Sequence, residues 1–225
     1  VGTETIDPWR PKAVIVGNPD ELLSVAGSKY TATGSLSALA DAYLGYPEGK
    51  PGVVGVPCQI QAVRRMQTRG NSKVTDPLGL IISLFCYNTY RYAGLVQEFL
   101  GKQHDIDLSQ ITKMECKAGA FKAFQGETVR VEAPLKELAS FVLPGCGKCQ
   151  DFTGELADVS VGRVGSEEGW CTVITRTEKG VDLLEEAAST GLVQKKQVSL
   201  SDPSMRAVLK PSQEKKKRDA PYLRD

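Results

Sequence analysis

Residues 53–58 read VVGVPC, a short apolar run that ends in a cysteine. A second stretch of the same design, residues 80–86, reads LIISLFC. Short apolar runs rich in β-branched residues are typical of strands that are buried on both faces, as in a parallel sheet. Cys58 and Cys86 each come where a predicted strand ends and a predicted helix follows. Because the carboxyl ends of neighbouring parallel strands meet at one edge of a sheet, the sequence predicts that these two cysteines lie together.

A second pair of cysteines occurs in residues 144–151, which read PGCGKCQD. Two residues separate Cys146 from Cys149, a spacing found in structural zinc sites, redox dithiols and iron–sulfur sites. Thiolates suit both zinc and iron, so the ligand type alone leaves a four-cysteine zinc site open. A cluster of four irons, however, spreads its ligands more widely than a single ion does. With Cys58 and Cys86 as single, distant ligands, the pattern favours a [4Fe–4S] cluster over structural zinc.

The remaining cysteines and the single histidine do not indicate a further metal site or a catalytic Cys–His pair. Cys116 and Cys171 are expected to be ordinary core or strand thiols. His104 lies in a polar segment, where a surface histidine is the favoured interpretation. The absence of any other histidine excludes zinc motifs built on a histidine pair.

Composition narrows the class of protein further. The chain has 225 residues, of which 41% are hydrophobic and 24% are charged, and this is enough to bury a core without disulfides. Lys and Arg (28) nearly balance Asp and Glu (27), so no general attraction for nucleic acid or anionic lipid is expected. No apolar run approaches the roughly 20 residues of a membrane span, and no secretory signal is recognised. We therefore expect a cytoplasmic protein with reduced thiols.

The order of predicted strands and helices indicates an α/β fold. We expect a single domain with a mixed β-sheet flanked by helices and an Fe–S-binding loop region. A hairpin is predicted at residues 122–133 and a last strand at 192–198. The domain is predicted to cover residues 1–198, followed by a charged C-terminal tail, 199–225. The basic run at residues 215–218 is interpreted as a solvated face or a contact with another subunit.

Two glycine-containing loops are further candidates for ligand contacts. Residues 162–170 read GRVGSEEGW, where glycines allow a close approach to the backbone and Trp170 offers a stacking face. A hairpin loop with an exposed tryptophan explains this stretch equally well. Residues 27–31 read GSKYT, and on local evidence a helix end with a solvated Lys29 is the favoured interpretation.

Taken together, four segments resemble the coenzyme F420 hydrogenase/dehydrogenase beta-subunit family. They are GVPCQ (55–59), LFC (84–86), CGKCQD (146–151) and the block that begins ELADVSVG at residue 155 and continues to residue 174. Residues 26–31 fit an early motif of the family, with Ser28 where threonine is expected. The resemblance runs from about residue 14 to 191. Family members usually carry a glycine-rich, flavin-binding segment ahead of the point where this sequence starts, so either the domain is N-terminally incomplete or it binds FAD differently.

The resemblance implies a flavoprotein that carries FAD and one [4Fe–4S] cluster and exchanges a hydride with coenzyme F420, a deazaflavin. By this resemblance, Cys58, Cys86, Cys146 and Cys149 hold the cluster. The residues expected near the flavin are Gly27, Ser28, Lys29, Tyr30, Thr31, Gly165, Ser166, Gly169, Trp170 and Thr172. No catalytic residue is assigned. Arg64 and Arg65 either hold the coenzyme's anionic tail or are solvated, and the second interpretation is favoured.

The implied partners are a hydrogenase or formate dehydrogenase catalytic subunit, an Fe–S electron-transfer subunit, or both, in an archaeal methanogenic complex. Two alternatives stay open on the sequence. One is a structural four-cysteine zinc module that displays an interaction surface. The other is a ferredoxin-dependent reductase of the same family, although such relatives tend to carry additional cluster motifs.

Overall fold

The computed structural model describes residues 1–69 and 72–219. Its strands are β1 (Gly2–Ile6), β2 (Arg10–Val14), β3 (Gly52–Gly55), β4 (Leu80–Leu84), β5 (Lys113–Lys117), β6 (Ala120–Gln125), β7 (Thr128–Pro134), β8 (Val159–Gly162) and β9 (Thr172–Thr175). Its α-helices are α1 (Pro19–Ser24), α2 (Ser37–Gly45), α3 (Pro57–Thr68), α4 (Glu178–Ser189) and α5 (Pro203–Lys216). A π-helix covers Ala93–Gln103, and 3₁₀ turns cover Ser72–Val74, Leu108–Gln110, Leu135–Phe141 and Pro144–Lys148.

The chain divides into two compact units. The first, called here the parallel-sheet unit, contains Val1 and residues 39–87 and 147–225. The second, called the meander unit, contains residues 2–38 and 88–146. Each unit is therefore built from segments that are distant in the sequence.

The parallel-sheet unit is organised by a four-stranded sheet in the order β3-β4-β8-β9. Strand β4 pairs in parallel with β3 on one side and with β8 on the other, and β9 is antiparallel to β8. Val53 of β3 and Ile81 of β4 are buried, as expected for strands covered on both faces. The predicted mixed sheet flanked by helices is confirmed.

Helix α3 begins directly after β3. Pro57 occupies the first turn, where its missing N–H costs no hydrogen bond. The side chain of Gln59 accepts a hydrogen bond from the Val56 backbone N–H at 3.0 Å and closes the helix start. Ile60 and Val63 are buried on one face of the helix. This arrangement fixes Cys58 in the first turn of α3, at the carboxyl end of β3.

The meander unit contains the antiparallel sheet β5-β6-β7. The predicted hairpin is confirmed: β6 pairs with β7, and Gly126 adopts φ 58° in the turn between them. Its core combines buried aliphatic and aromatic residues, and Phe99 of the π-helix packs edge-on against Phe121 of β6. Strands β1 and β2 form a separate antiparallel pair in this unit.

One expectation about the C-terminal region is wrong: residues 192–198 form no strand, and Leu192 and Val198 are exposed. Within the segment predicted as a charged tail, α5 occupies Pro203–Lys216 and belongs to the parallel-sheet unit. The basic run is not uniformly solvated, since Lys215 is 1% exposed. The part of the tail from residue 220 onward lies outside the described residues.

In the described part of the chain, no helix combines the length and the apolar character needed to cross a membrane.

A buried carboxylate ties three elements of the parallel-sheet unit together. Asp158 accepts a hydrogen bond from the Ile81 backbone N–H at 2.8 Å and another from the Thr177 hydroxyl at 3.1 Å. Its remaining contact is an ion pair with Arg64 of α3 at 3.1 Å. The Arg64 guanidinium is partly exposed, whereas the carboxylate is buried. A buried charge of this kind is tolerated because it is paired and hydrogen-bonded.

We expect Asp158→Ala to lower the free energy of unfolding by about 3 kcal/mol, because it leaves the buried Ile81 N–H and the Arg64 cation without their acceptor. Urea unfolding followed by circular dichroism measures the loss. Asp182→Ala, an exposed acidic residue of α4, is the matched control and is expected to change stability by less than about 0.5 kcal/mol. Equal losses in the two variants would contradict the role given to Asp158.

Candidate functional site

Cys58 and Cys86 follow two neighbouring parallel strands, as predicted. Strand β3 pairs with β4 from Gly52↔Leu80 to Gly55↔Ser83, so their carboxyl ends lie at the same edge of the sheet. Cys86 comes two residues after β4, and its backbone N–H donates to the carbonyl oxygen of Phe152 at 2.9 Å. The side chain of Cys58 is exposed and that of Cys86 is half-buried. Edges of this kind are the usual ligand sites of open α/β sheets.

The two cysteines of the CGKC stretch flank the end of a 3₁₀ turn, Pro144–Lys148. In the meander unit, the Cys146 sulfur accepts a hydrogen bond from the Thr89 backbone N–H at 3.3 Å. In the parallel-sheet unit, the Cys149 sulfur lies 3.1 Å from Lys215 Nζ. Because only two residues separate the cysteines, the chain keeps their Cα atoms within about 11 Å of each other.

A buried turn fixes the backbone that follows Cys149. Asp151 is buried, and its carboxylate accepts hydrogen bonds from the backbone N–H groups of Gly154 at 2.7 Å and Glu155 at 2.9 Å. Gly154 adopts φ +74°, and a Cβ atom there would lie 2.1 Å from the Ser83 hydroxyl of β4. Glycine is therefore required at this position by both the backbone conformation and the close approach. The turn holds the segment after Cys149 against the central strand.

Lys215 of α5 is the contact that the sequence did not reveal. Its amine donates to the carbonyl oxygen of Cys86 at 2.9 Å as well as to the Cys149 sulfur. One side chain thus touches two of the four predicted ligand residues. The one sequence signal is that Lys215 lies seven positions after the buried Val208, which puts both on one helix face. Three successive lysines look alike in the sequence, so this signal did not separate Lys215 from its exposed neighbours.

All six cysteines lie in the described part of the chain, and none forms a disulfide. Across residues 1–69 and 72–219, no three His, Cys, Asp or Glu side chains are arranged to hold one metal ion. A zinc site needs four ligand atoms each at about 2.3 Å from one centre when all are sulfur. Donor groups beside Cys146 and Cys149 are of the kind that hydrogen-bond the sulfurs of iron–sulfur clusters.

The first group of predicted flavin contacts, residues 27–31, lies in the meander unit. Gly27, Ser28 and Lys29 line a cavity of about 390 Å³, together with Trp9 and Lys113 among others. This volume lies within the range of small-molecule sites. The Lys29 amine donates to the carbonyl oxygens of residues 25 and 26 at 2.6 and 2.7 Å, and partial burial lowers its pKa. Lys29 therefore closes the end of the preceding helix as well as lining the cavity.

The next two residues of this group have structural contacts. The Tyr30 hydroxyl accepts a hydrogen bond from the Cys116 backbone N–H at 2.9 Å, and its ring packs edge-on against Phe121. Burial is the main cause that raises the pKa of Tyr30 to about 12. Burial also raises the pKa of the Cys116 thiol, to about 11. Thr31 is buried and forms a backbone bridge with Tyr90. A role for Tyr30 or Thr31 at a flavin stays a prediction.

The second group of predicted flavin contacts lies in the parallel-sheet unit, in the loop between β8 and β9. The hydroxyls of Ser166 and Thr172 are 2.8 Å apart across the loop. Lys196 lies over the Trp170 ring at 5.0 Å. Gly165 and Gly169 both have positive φ values, and a Cβ atom on Gly165 would lie 2.5 Å from the Ser204 carbonyl oxygen of α5. Loop geometry and helix packing explain these glycines without a ligand, so their role at a flavin also stays a prediction.

The two arginines after Cys58 have different environments. Arg64 is engaged by Asp158, by the Leu156 carbonyl oxygen at 2.9 Å and by Gln67 at 3.0 Å. Arg65 is exposed, as the solvated interpretation expects. Arg64 is therefore explained by the fold, and it gives no support to a role in steering the coenzyme.

Comparison with known proteins identifies the family. Residues 49–200 match the family model for the C-terminal part of the beta subunit of coenzyme F420 hydrogenase/dehydrogenase, and residues 1–40 match the model for the N-terminal part of the same protein. The chain belongs to the coenzyme F420 hydrogenase/dehydrogenase beta-subunit family. The resemblance seen in the sequence is thereby confirmed.

Several members of this family are similar over most of the chain. The coenzyme F420 hydrogenase subunit beta of Methanothermobacter thermautotrophicus is 34% identical over 93% of this chain and 75% of its own length. A subunit of the F420-reducing [NiFe] hydrogenase complex from Methanosarcina barkeri has the same fold, with a TM-score of 0.89, 31% identity, and coverage of 97% of this chain and 75% of that chain. The coenzyme F420-dependent sulfite reductase of Methanocaldococcus jannaschii is 38% identical over 78% of this chain but only 29% of its own length. The chain is therefore of the type found in F420-dependent oxidoreductase complexes.

The buried Tyr30–Cys116 contact makes stability depend on alkaline pH. Both groups have folded pKa values above their ordinary values of 10.0 and 9.0, so folding favours their neutral forms. Their contribution to stability is complete below pH 9 and is lost as pH rises through about 11 to 12. We expect the midpoint of urea unfolding to fall steadily over this window.

Tyr30→Phe removes the phenol and is expected to flatten the upper part of this dependence. Tyr46→Phe, at an exposed tyrosine, is the matched control and should leave the profile unchanged.

In the native protein, Cys116 should react with iodoacetamide at pH 8 about a hundredfold more slowly than a thiol with the ordinary pKa of 9.0. Rapid alkylation of Cys116 under these conditions would contradict the burial-raised pKa.

Proposed function

We propose that this chain is the flavin- and [4Fe–4S]-containing beta subunit of a cytoplasmic F420-linked oxidoreductase. In this proposal it transfers a hydride between coenzyme F420 and FAD, and single electrons between FAD and a partner subunit through the cluster. The observation that carries the proposal is the placement of Cys58 and Cys86 at one sheet edge, with Lys215 touching both Cys86 and Cys149. Membership of an F420 hydrogenase/dehydrogenase family supports it.

Cys58, Cys86, Cys146 and Cys149 are the proposed ligands of the cluster. Three of them belong to the parallel-sheet unit, and the sequence ties Cys146 to Cys149 through two residues. The strand ends are rigid, because β4 is paired on both sides. Rigid ligand positions favour an electron-transfer centre, since little reorganisation is needed when its charge changes. Cys116 and Cys171 are not proposed as ligands.

The proposed FAD contacts in the meander unit are Gly27, Ser28 and Lys29, which line its cavity. In the parallel-sheet unit, the proposed flavin contacts are the β8–β9 loop residues Gly165, Ser166, Gly169, Trp170 and Thr172. The cavity offers both apolar walls, such as Trp9 and Ile111, and hydrogen-bonding groups, such as Ser28 and Thr112. When bound, FAD supplies the exchange between electron pairs, which a deazaflavin carries, and single electrons, which iron–sulfur clusters carry. The residues of this chain orient the rings and exclude water.

A hydrogenase-type complex is the proposed setting. The M. barkeri chain with the same fold is part of an F420-reducing [NiFe] hydrogenase complex. As partners we propose a catalytic subunit of that kind, or of a formate dehydrogenase, together with an Fe–S electron-transfer subunit. The partner would receive or supply electrons next to the exposed side of Cys58.

Metal analysis of anaerobically purified protein tests the cluster. We expect about four iron and four labile sulfide per chain, with the broad visible absorption of thiolate-bound iron. Cys86→Ser and Cys149→Ser should each lower the iron content by more than half, because each removes a ligand. Cys171→Ser, at an exposed cysteine outside the proposed set, is the matched control and should keep full iron content. One zinc per chain and no iron would favour the structural zinc module instead.

Flavin reduction tests the proposed reaction. Bound FAD in the reconstituted protein should be bleached at about 450 nm by reduced coenzyme F420 and not by reduced ferredoxin. Reduction by ferredoxin alone would point to the other type of reductase in the family. Ser28→Trp, which places a large side chain in the cavity, should reduce FAD content. Ser109→Trp, at another residue that lines the cavity, should reduce it as well if FAD occupies the whole cavity.

A further inference from the structure

Lys215 is a buried lysine in a run of otherwise exposed basic residues. It is 1% exposed, whereas Lys216 and Lys217 are exposed. Burying a lysine side chain is costly unless its amine has hydrogen-bond partners. The partners that the structure gives its amine are the Cys149 sulfur at 3.1 Å and the Cys86 carbonyl oxygen at 2.9 Å. Both partners belong to proposed ligand residues.

Further contacts hold α5 in place around this amine. On one side, Glu214 accepts a hydrogen bond from the Tyr87 hydroxyl at 2.9 Å, next to Cys86. Arg218 donates to the Tyr87 carbonyl oxygen at 3.2 Å and lies 4.6 Å from the centre of the Tyr87 ring. The end of α5 is thereby anchored on the residue that follows Cys86.

The other side of α5 is anchored beside Cys149. The Gln150 amide donates to the Arg218 carbonyl oxygen at 2.5 Å. Lys216 forms an ion pair with Glu155 at 2.7 Å, on the turn that follows Asp151. The helix end therefore bridges the two chain segments that carry Cys86 and Cys149. Lys215 is the residue of this bridge that reaches the sulfur itself.

We propose that Lys215 is a positioning residue for the cluster: it orients the Cys149 thiolate and, by donating an N–H to its sulfur, raises the reduction potential of the bound [4Fe–4S] centre. This inference rests on the proposed function, because it requires the cluster. Hydrogen bonds and positive charge near the sulfurs stabilise the reduced, more negative cluster relative to the oxidised one. The C-terminal helix thus sets how readily the centre accepts an electron.

The chain provides its own matched controls for a test. Lys215→Met keeps the length and the apolar part of the side chain and removes the donor. Lys215→Gln keeps an N–H donor without the charge. Lys217→Met changes an exposed member of the same basic run and serves as the control. Because methionine is easily accommodated in a buried site, Lys215→Met is expected to keep the fold, which thermal unfolding monitors.

The experiment compares these proteins after reconstitution with iron and sulfide. Wild-type protein is measured first, by iron and sulfide content and by redox titration followed by electron paramagnetic resonance. In Lys215→Met we expect a more negative midpoint potential and about tenfold faster loss of iron to a chelator. Lys215→Gln should lie between this variant and wild type. Lys217→Met should match wild type in both measurements.

The possible failures are distinguishable. Wild-type protein that binds no cluster overturns the proposed function itself. A wild-type protein with a cluster, together with a Lys215→Met variant whose potential and iron loss equal those of Lys217→Met, overturns the role of Lys215 alone. If Lys215→Met does not fold, the same comparison is made with Lys215→Gln. An unchanged midpoint potential of the cluster in Lys215→Gln then counts against the inference.

Discussion

Parallel pairing of β4 with both β3 and β8 is the constraint on which the rest of the parallel-sheet unit depends. Parallel strands run in the same direction, so the turns after them are gathered at one edge of the sheet. Cys58 and Cys86 occupy two of those turns. The chain that enters β8 crosses the same region after the CGKC stretch. The geometry of the candidate metal site is therefore a consequence of sheet topology rather than of the cysteines themselves.

Buried polar groups hold this edge in shape. Asp158 connects β4, α3 and the start of α4, and Asp151 closes the turn after Cys149. Lys215 likewise connects the C-terminal helix to this edge, because its amine contacts Cys86 and Cys149. In a low-dielectric interior each of these groups is costly without its partners, so each contact favours one arrangement of the elements over others. The proposed electron-transfer site is thus rigid for reasons that lie outside its four ligands.

Family membership and structure agree on the fold. The similarity to subunits of F420-dependent hydrogenase complexes extends over nearly the whole chain. Of the residues expected near the flavin, Gly27, Ser28 and Lys29 line a cavity, whereas Tyr30 and Thr31 are engaged in the packing of the meander unit. This motif therefore combines residues that line a cavity with residues that have structural contacts, and the spacing of the motif does not distinguish between them.

The sequence by itself determined the two buried strands with their terminal cysteines, the mixed α/β class, the β6–β7 hairpin and the family, because these depend on local patterns of apolar residues and turns. The strand predicted at residues 192–198 is wrong, because this segment pairs with no strand in the described structure. The tertiary structure alone decided the burial of Lys215 and the pairing of Arg64 with Asp158. Such contacts join residues roughly 65 to 130 positions apart, and a charged residue looks the same in a sequence whether it faces solvent or a partner.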